Sequence, residues 1–547
     1  MTNSGSQLLN GLWETAKKTI SLTKSEGAEV LLHDRARAKG TGFDVDSRRS
    51  RHLVGLVPPA VETLDKQVAR CMARIDSLAQ NPLEQYMYLD RIKSEDDALF
   101  YRVVMENLKK IVSIIYTPTV GLACQEFSHI YTPGSTPGLF LSLSHKNNLD
   151  EVLANWPGLD PDICVMTDGS RILGLGDLGI NGMGIPVGKL SLYVAAGGFH
   201  PTRTLPIALD LGTSTKKHLD DPFYLGTKMA RPSDEVFYDF IEHVMIALKK
   251  RWPALLVQFE DFSSEHAFGT LEKLRDRYFT FNDDIQGTGA VILSGVINAI
   301  KLSGVPLRDH KILFVGAGSA GVGVASQIMQ YFIREGKMSH DEAKAVFYLT
   351  DSKGLLTSDR KDASHYPHHK TLFMRSDLGG KQITTLEEAV EHIRPTALIG
   401  LSAVGGAFSK EVLHKIGKIN AKPIVFPLSN PLENAECTFA EAVHATNGTV
   451  LFASGTAFPE IAHPVTGKII EPGQGNNMYI FPALGFGSVL AKATKVTDDM
   501  IYRASVSLAN QLNEDEVAAG LLYPRVTRIR EISANLARDV ILQALTE

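Results

Sequence analysis

Cysteine is scarce in this chain: four among 547 residues, at Cys71, Cys124, Cys164 and Cys437, with no CxxC pair. Such spacing excludes a disulfide scaffold and a cysteine-built zinc site, and leaves four reduced thiols as the plain reading. A basic surplus is missing too. Lys and Arg number 56 against 61 Asp and Glu, a net charge of −5, so nothing advertises a nucleic-acid partner. No apolar run reaches the roughly 18 residues of a membrane span before Gly, Pro or a charge breaks it, and no membrane partner is expected. The opening stretch MTNSGSQLLNGLWETAKKTISLTKSEG holds no Arg and no apolar core followed by small residues. A transit peptide or a secretory signal would show one or the other, so a cytoplasmic location is expected, with a mitochondrial one left open.

What is there is an ordinary globular composition, 44% hydrophobic and 21% charged. At about 150 residues per domain, the length suggests two to four units. Residues 1–50 read as polar and irregular. Pro58-Pro59 then opens a helical stretch in which Val61, Leu64, Val68, Met72, Ile75 and Leu78 mark one buried face. A second helix is expected over Leu99 to Ile115, stopped by Tyr116-Thr117-Pro118, so the N-terminal part reads as a helical unit. Beyond Asp162 short apolar strands take over, at Ile163–Met166, Leu205–Asp210, Ala254–Glu260, Lys311–Val315, Ala345–Thr350, Ala397–Gly400 and Pro423–Pro427. Their alternation with helical patterns such as Glu235–Arg251 predicts a parallel α/β sheet.

Several groups could carry chemistry. Gly316-Ala317-Gly318-Ser319-Ala320-Gly321 follows one strand directly and opens an Ala/Val-rich helix. Glycines there let a pyrophosphate approach the backbone at a helix N-terminus, although a turn shaped only by packing has the same signature. The acid ending the next strand, Asp351, comes 30 residues after Gly321 rather than about 20, so an extra segment must intervene. Glu260-Asp261 lies at the end of an expected strand, and Phe281-Asn282-Asp283-Asp284 offers two more carboxylates further on. Adjacent acids repel unless a cation neutralises them, and hard oxygen donors suit Mg²⁺ or Mn²⁺; capping of the following helices is the alternative. Lys189 follows a glycine-dense loop, where it could be a general base or a mere surface charge. Arg171 could grip a carboxylate with both prongs, Tyr116 could donate a proton, and Asn430, Asn476 and Asn477 are neutral hydrogen-bonders at loop ends.

Together these strings resemble the malic enzymes. Ile114-Ile115-Tyr116-Thr117-Pro118-Thr119-Val120-Gly121 is similar to that family's tyrosine motif. Arg171-Ile172-Leu173-Gly174-Leu175-Gly176-Asp177-Leu178-Gly179, continuing to Gly188-Lys189-Leu190, resembles its central signature. Gln258-Phe259-Glu260-Asp261-Phe262, Phe281-Asn282-Asp283-Asp284-Ile285-Gln286-Gly287-Thr288, Leu428-Ser429-Asn430-Pro431 and Pro472-Gly473-Gln474-Gly475-Asn476-Asn477 complete the set in family order.

The resemblance implies oxidative decarboxylation of (S)-malate to pyruvate and CO2, with reduction of NAD(P) and a divalent metal. It implies Lys189 as general base, Tyr116 as general acid and Asp283 as the acid that tunes Lys189. Glu260, Asp261 and Asp284 become metal ligands. Arg171, Asn430, Asn476 and Asn477 become substrate contacts, with Asn430 also at the cofactor beside Gly316, Gly318, Ser319, Ala320, Gly321, Asp351, Ser352 and Lys353. Ser352 and Lys353, with Arg360 beyond, lean the cofactor toward NADP over NAD, while the loop His365-Tyr366-Pro367-His368-His369-Lys370 argues the other way. The expected fold class is α/β: a Rossmann-like dinucleotide domain, an α/β substrate domain and an N-terminal helical domain. Expected boundaries are 1–130 for the helical domain, 131–282 for the substrate and metal domain, 283–476 for the dinucleotide domain, and 477–547 for a C-terminal helical segment packing on the substrate domain. A homodimer or homotetramer is also implied.

Overall fold

The computed structural model describes residues 30–132, 137–366 and 368–547; the stretch 1–29 read for targeting and Pro367 of the histidine-bearing loop lie outside the described residues. The side chains of Ser319, His368 and His369 are likewise outside the description. Two compact units emerge, one running to Pro137 and including His200–Thr202, the other comprising Gly138–Phe199 and Arg203–Glu547.

The first unit is helical. Helices Leu64–Ser77, Pro82–Glu95 and Asp97–Glu106 are each capped by the side chain of the residue before them, Thr63, Asn81 and Asp96. Three details differ from the sequence reading. Residues called irregular include a helix, Val45–Ser50, whose cap Asp44 accepts from the Ser47 N–H at 2.7 Å. Pro58-Pro59 opens no helix; the first turn waits for the Thr63 cap, and Val61 stays exposed. The helix expected over Leu99 to Ile115 is two, Asp97–Glu106 and Leu108–Ile115. The break is Asn107, whose side-chain amide donates to the Val103 carbonyl at 3.1 Å and so satisfies a helix end.

The second unit carries two main sheets. In the first, β1 (Leu139–Ser142), β2 (Ile163–Thr167), β3 (Thr204–Asp210), β4 (Leu256–Phe259) and β5 (Thr280–Asn282) run parallel in the order β1-β3-β2-β4-β5. In the second, β6 (Ile312–Val315), β7 (Phe347–Asp351), β8 (Gly354–Leu355), β9 (Ala397–Gly400), β10 (Ile424–Pro427) and β11 (Leu451–Ser454) lie with the short β14 (Gly473–Gln474) in the order β14-β11-β10-β9-β6-β7-β8, where only the β7–β8 pair is antiparallel. The intervening β12 (Ile461–Ala462) and β13 (Ile469–Ile470) form a separate hairpin. Most strand residues are buried, as expected where helices cover both faces of a parallel sheet.

Each sheet has one place where the order reverses, and open α/β sheets bind ligands there, beyond the carboxyl ends of the strands. In the first sheet the reversal lies between β2 and β4, whose ends lead into Asp168 and into Glu260-Asp261. In the second it lies between β6 and β9, whose ends lead into Gly316 and Leu401. The long spacing from Gly321 to Asp351 is explained by an extra capped helix, His340–Ala345, inserted after Ser319–Arg334. The continuous helical run Asp283–Ser303 is apolar and long enough to cross a membrane by composition, yet most of it is buried inside the protein. Helix Ile529–Ala544 packs on Phe481–Leu490 and on the turn Tyr193–Gly197.

Candidate active site

Three carboxylates converge at the reversal point of the first sheet. Glu260 and Asp261 follow β4, Asp284 follows β5, and one oxygen from each lies within 4.8 Å of the others. Asp261 sits in the left-handed region at φ 56°, and its N–H donates to Asp284 Oδ2 at 2.7 Å. Its own Oδ2 is buried without a hydrogen-bond partner. The acids are not helix caps, because Ser263 caps the following helix Ser264–Leu274 and Asn282 caps the turn Asp283–Gly287. Burial pushes the Glu260 and Asp261 carboxyls well above the usual carboxylate range, with the neighbouring acid charges adding to it and Lys189 opposing. Burial likewise raises Asp284 to about 6. A gathered set of hard oxygens with one orphaned buried atom fits a divalent cation, which would supply the missing partner and counter-charge.

Lys189 lies within helix Gly184–Leu192 and is 1% exposed. Its Nζ is 2.5 Å from Asp283 Oδ2 and 2.9 Å from Glu260 Oε1, and it stands 4.5 Å above the ring of Phe481. It is therefore no surface charge. Asp283 is fully buried, and Asn477 donates to its Oδ2 at 3.1 Å and to its carbonyl at 3.2 Å. Asn476, one residue earlier, caps the short turn Asn477–Tyr479 by accepting from the Met478 N–H.

Sequence reasoning gave no role to Gln258, Tyr193, Arg231, Asp168 or Ser170, which also hold this group in place. Gln258, fully buried, donates to Glu260 Oε2 at 2.7 Å, and its carbonyl oxygen accepts from the Tyr193 hydroxyl. The tyrosine fixes the amide so that its NH2 faces the carboxylate. The signal was available, since residues i and i+2 of a strand share a face. Arg231 grips Asp177 with two nitrogens at 2.7 and 2.8 Å and reaches Asp168 Oδ2 at 3.3 Å. Asp168 accepts from the Ser170 hydroxyl, which in turn accepts from the Ser263 N–H. That chain ties the loop bearing Arg171 to the loop bearing Asp261, and the Arg171 N–H closes it on the Asp261 carbonyl at 3.2 Å. The Arg171 guanidinium is exposed and donates to Ser264. Tyr116 belongs to the first unit, where it is buried and ends helix Leu108–Ile115.

The glycine loop divides between the two readings of it. Gly316 stands at φ 111°, and a Cβ there would lie 2.3 Å from the Leu401 carbonyl oxygen; at Gly321 it would lie 2.0 Å from the Gly316 oxygen. Packing by itself requires glycine at those two positions. At Gly318 a Cβ would meet nothing within 4 Å, so open space lies before the N-terminus of helix Ser319–Arg334, where Ala320 is exposed. Asp351 ends β7, with Ser352 and Lys353 exposed beyond it. Asn430 is exposed after β10, its side-chain oxygen accepting from Thr456 at 2.5 Å.

The chain is similar to known proteins in sequence and in fold. Residues 93–275 match the family model described as malic enzyme, N-terminal domain, and residues 285–545 match malic enzyme, NAD binding domain. The NADP-dependent malic enzyme of Dictyostelium discoideum is 46% identical over 517 residues, 94% of this chain and 93% of the relative. The mitochondrial NAD-dependent malic enzyme 2 of Arabidopsis thaliana is 40% identical over 548 residues, 98% of this chain and 89% of the relative. Among solved structures, the malic enzyme of Entamoeba histolytica superposes with a TM-score of 0.54 at 21% identity, covering 90% of this chain and 86% of the other, a likeness of fold.

Proposed function

The chain belongs to the malic enzyme family, and from that premise we propose that it oxidatively decarboxylates (S)-malate to pyruvate and CO2 with reduction of NAD(P). The observation that carries this reading is Lys189, buried between Asp283 and Glu260 beside three converging carboxylates.

In this reading Glu260, Asp261 and Asp284 hold Mg²⁺ or Mn²⁺. When bound, the cation supplies Lewis acidity at the C2 oxygen, and NAD(P) supplies the hydride acceptor. Lys189 takes the C2 hydroxyl proton. Asp283, anchored by Asn477, and Glu260, anchored by Gln258, hold the ammonium that results. Arg171 binds a malate carboxylate, with Asn430, Asn476 and Asn477 as further contacts. After loss of CO2, Tyr116 delivers a proton to C3 of the enolpyruvate. Acid–base steps of this kind are worth roughly 10²–10⁴-fold each.

The dinucleotide is assigned to the second sheet, at Gly316, Gly318, Ser319, Ala320, Gly321, Asp351, Ser352, Lys353 and Asn430, with a lean to NADP. The pairing of Asp351 with Arg360 supports that lean. The four-part division at residues 130, 282 and 476 is retained as part of the proposal, as are a cytoplasmic location and a homodimer or homotetramer. Exposed Leu490, Leu542 and Leu545 support self-association, and light scattering on the purified protein measures it. The deciding experiment follows absorbance at 340 nm and CO2 release together, with malate, Mn²⁺ and each dinucleotide. Both should rise in step. CO2 without any rise at 340 nm would point instead to a malolactic reaction, and neither would refute the reading.

A further inference from the structure

Glu436 has no exposed surface, and its carboxylate is an acceptor for four donors. Oε1 accepts from the Ser402 N–H at 2.9 Å, the Ser402 hydroxyl at 2.9 Å and the Ser429 hydroxyl at 2.6 Å. Oε2 accepts from the Ser429 N–H at 3.3 Å. Two of the four are backbone donors, which cannot turn to another partner. The Ser429 oxygen also accepts from the Ala403 N–H at 2.9 Å, so the two segments are stitched together around one carboxylate.

The location gives this contact its meaning. Ser402 follows β9 and Ser429 follows β10, neighbouring parallel strands at the end of the sheet where ligands bind. Asn430 is the next residue after Ser429. A third loop leans on the same construction: a Cβ on Gly316 would lie 2.3 Å from the Leu401 oxygen and 2.8 Å from the Ser402 nitrogen. The strand itself is fitted to the acid, since a Cβ on Gly400 would lie 2.4 Å from Glu436 Cδ. One buried carboxylate thus fixes the loops after β9 and β10 directly and the glycine loop after β6 through Ser402.

We infer that Glu436 is a positioning residue for the dinucleotide. It touches no ligand itself; it acts through Ser402 and Ser429 to hold open the crevice beside Gly318 and to set the place of Asn430. This rests on the reading that the chain binds NAD(P). Fully buried carboxylates are retained only where hydrogen bonds replace water, and preorganised loops spare the ligand the work of ordering them. A carboxylate kept only for stability would affect unfolding without changing dinucleotide affinity relative to malate.

The test is titration of the purified protein with NADPH and NADH, read by dinucleotide fluorescence, on Glu436→Gln, Glu436→Asp, Ser402→Ala, Ser429→Ala and the two serine changes paired. Gln keeps the Oε1 acceptor in place, whereas Asp is too short to serve both serines. Glu436→Asp and the paired serine variant should weaken dinucleotide binding about tenfold or more, and Glu436→Gln by only about two- to threefold. Malate KM should rise less than dinucleotide affinity falls, because only Asn430 among the malate contacts lies in the loops after β9 and β10, and kcat at saturating dinucleotide should stay within about threefold. If Glu436→Asp does not fold, the single serine variants carry the test, each losing binding by several-fold. Unchanged dinucleotide affinity in folded variants, with or without a lower unfolding temperature, overturns the inference. Failure of the unmodified protein to bind either dinucleotide overturns the functional reading as well.

Discussion

Arg360 sets its guanidinium nitrogens 2.9 and 3.3 Å from the two carboxylate oxygens of Asp351, so the acid that ends β7 faces a cation instead of open solvent. The same arginine grips Asp362 at 3.0 Å with each of two nitrogens, and Lys353 reaches Asp362 at 2.8 Å. An acid at this strand end ordinarily repels a 2′-phosphate. Here two acids and two basic side chains balance in one small cluster, so Asp351 is not an uncompensated charge facing a 2′-phosphate.

Activity with both dinucleotides and a modest preference for NADP are therefore expected. Lys353 is exposed, so a phosphate contact from it is screened, and Lys353→Ala should lower kcat/KM for NADP by about two- to fivefold while sparing NAD. A kcat/KM at least about tenfold higher for NAD, unaltered by Ser352→Ala and Lys353→Ala, would remove the preference.

Tyr116→Phe should lower turnover by about 10²–10⁴-fold while leaving malate KM within a few-fold, because it removes a proton donor and little volume. Ordinary turnover in that variant takes Tyr116 out of the chemistry.

The raised Asp284 carboxyl makes cation binding pH-dependent. Burial moves it from 3.8 to about 6, so between those values the folded protein holds a proton that the unfolded chain has released. That group's contribution to cation-free stability therefore grows as pH falls from about 7 to 4. A cation requires Asp284 in its ionised form, and Glu260 and Asp261 as well, which burial raises further, so the rise in unfolding temperature given by Mn²⁺ should shrink as pH falls toward 6 and below. Asp284→Ala should abolish both the rise and the activity at micromolar metal. A pH-independent Mn²⁺ increment would mean that Asp284 is not a ligand.

Two glycines in one loop should answer differently to the same change. Gly316→Ala forces a Cβ onto the Leu401 carbonyl at positive φ and should cost about 1–3 kcal/mol of stability. Gly318→Ala meets nothing in the protein and should leave the unfolding temperature nearly unchanged while weakening dinucleotide binding. Melting curves and NADPH titration on both variants separate the effects; equal losses of stability would contradict the assignment.

Strands such as β2, β3 and β9 were legible to within a residue because a parallel sheet buried on both faces writes itself as a short apolar run. The acid pairs Glu260-Asp261 and Asp283-Asp284 were legible because paired carboxylates are conspicuous, although the three-residue β5 was too short to read as a strand. What escaped were residues whose importance depends on partners far along the chain. Arg231 meets Asp168 across 63 positions and Glu436 meets Ser402 across 34, and no local pattern announces either. The break at Asn107 escaped for a different reason. Its neighbours keep helical periodicity on both sides, and the first helix ends where Asn107 leaves helical geometry and its side chain takes the Val103 carbonyl.

The left-handed backbone of Asp261 has a bearing on how this protein could be engineered. Natural sequences retain such positions against their own stability when turnover depends on them. A library screened solely for survival after heating would thus enrich Asp261→Gly, which relieves the backbone and removes one charge from a crowded acidic group. On the metal-ligand role proposed for Asp261, the hardiest clones from such a screen would be inactive, and selection for robustness would have to be coupled to a readout of catalysis in every round.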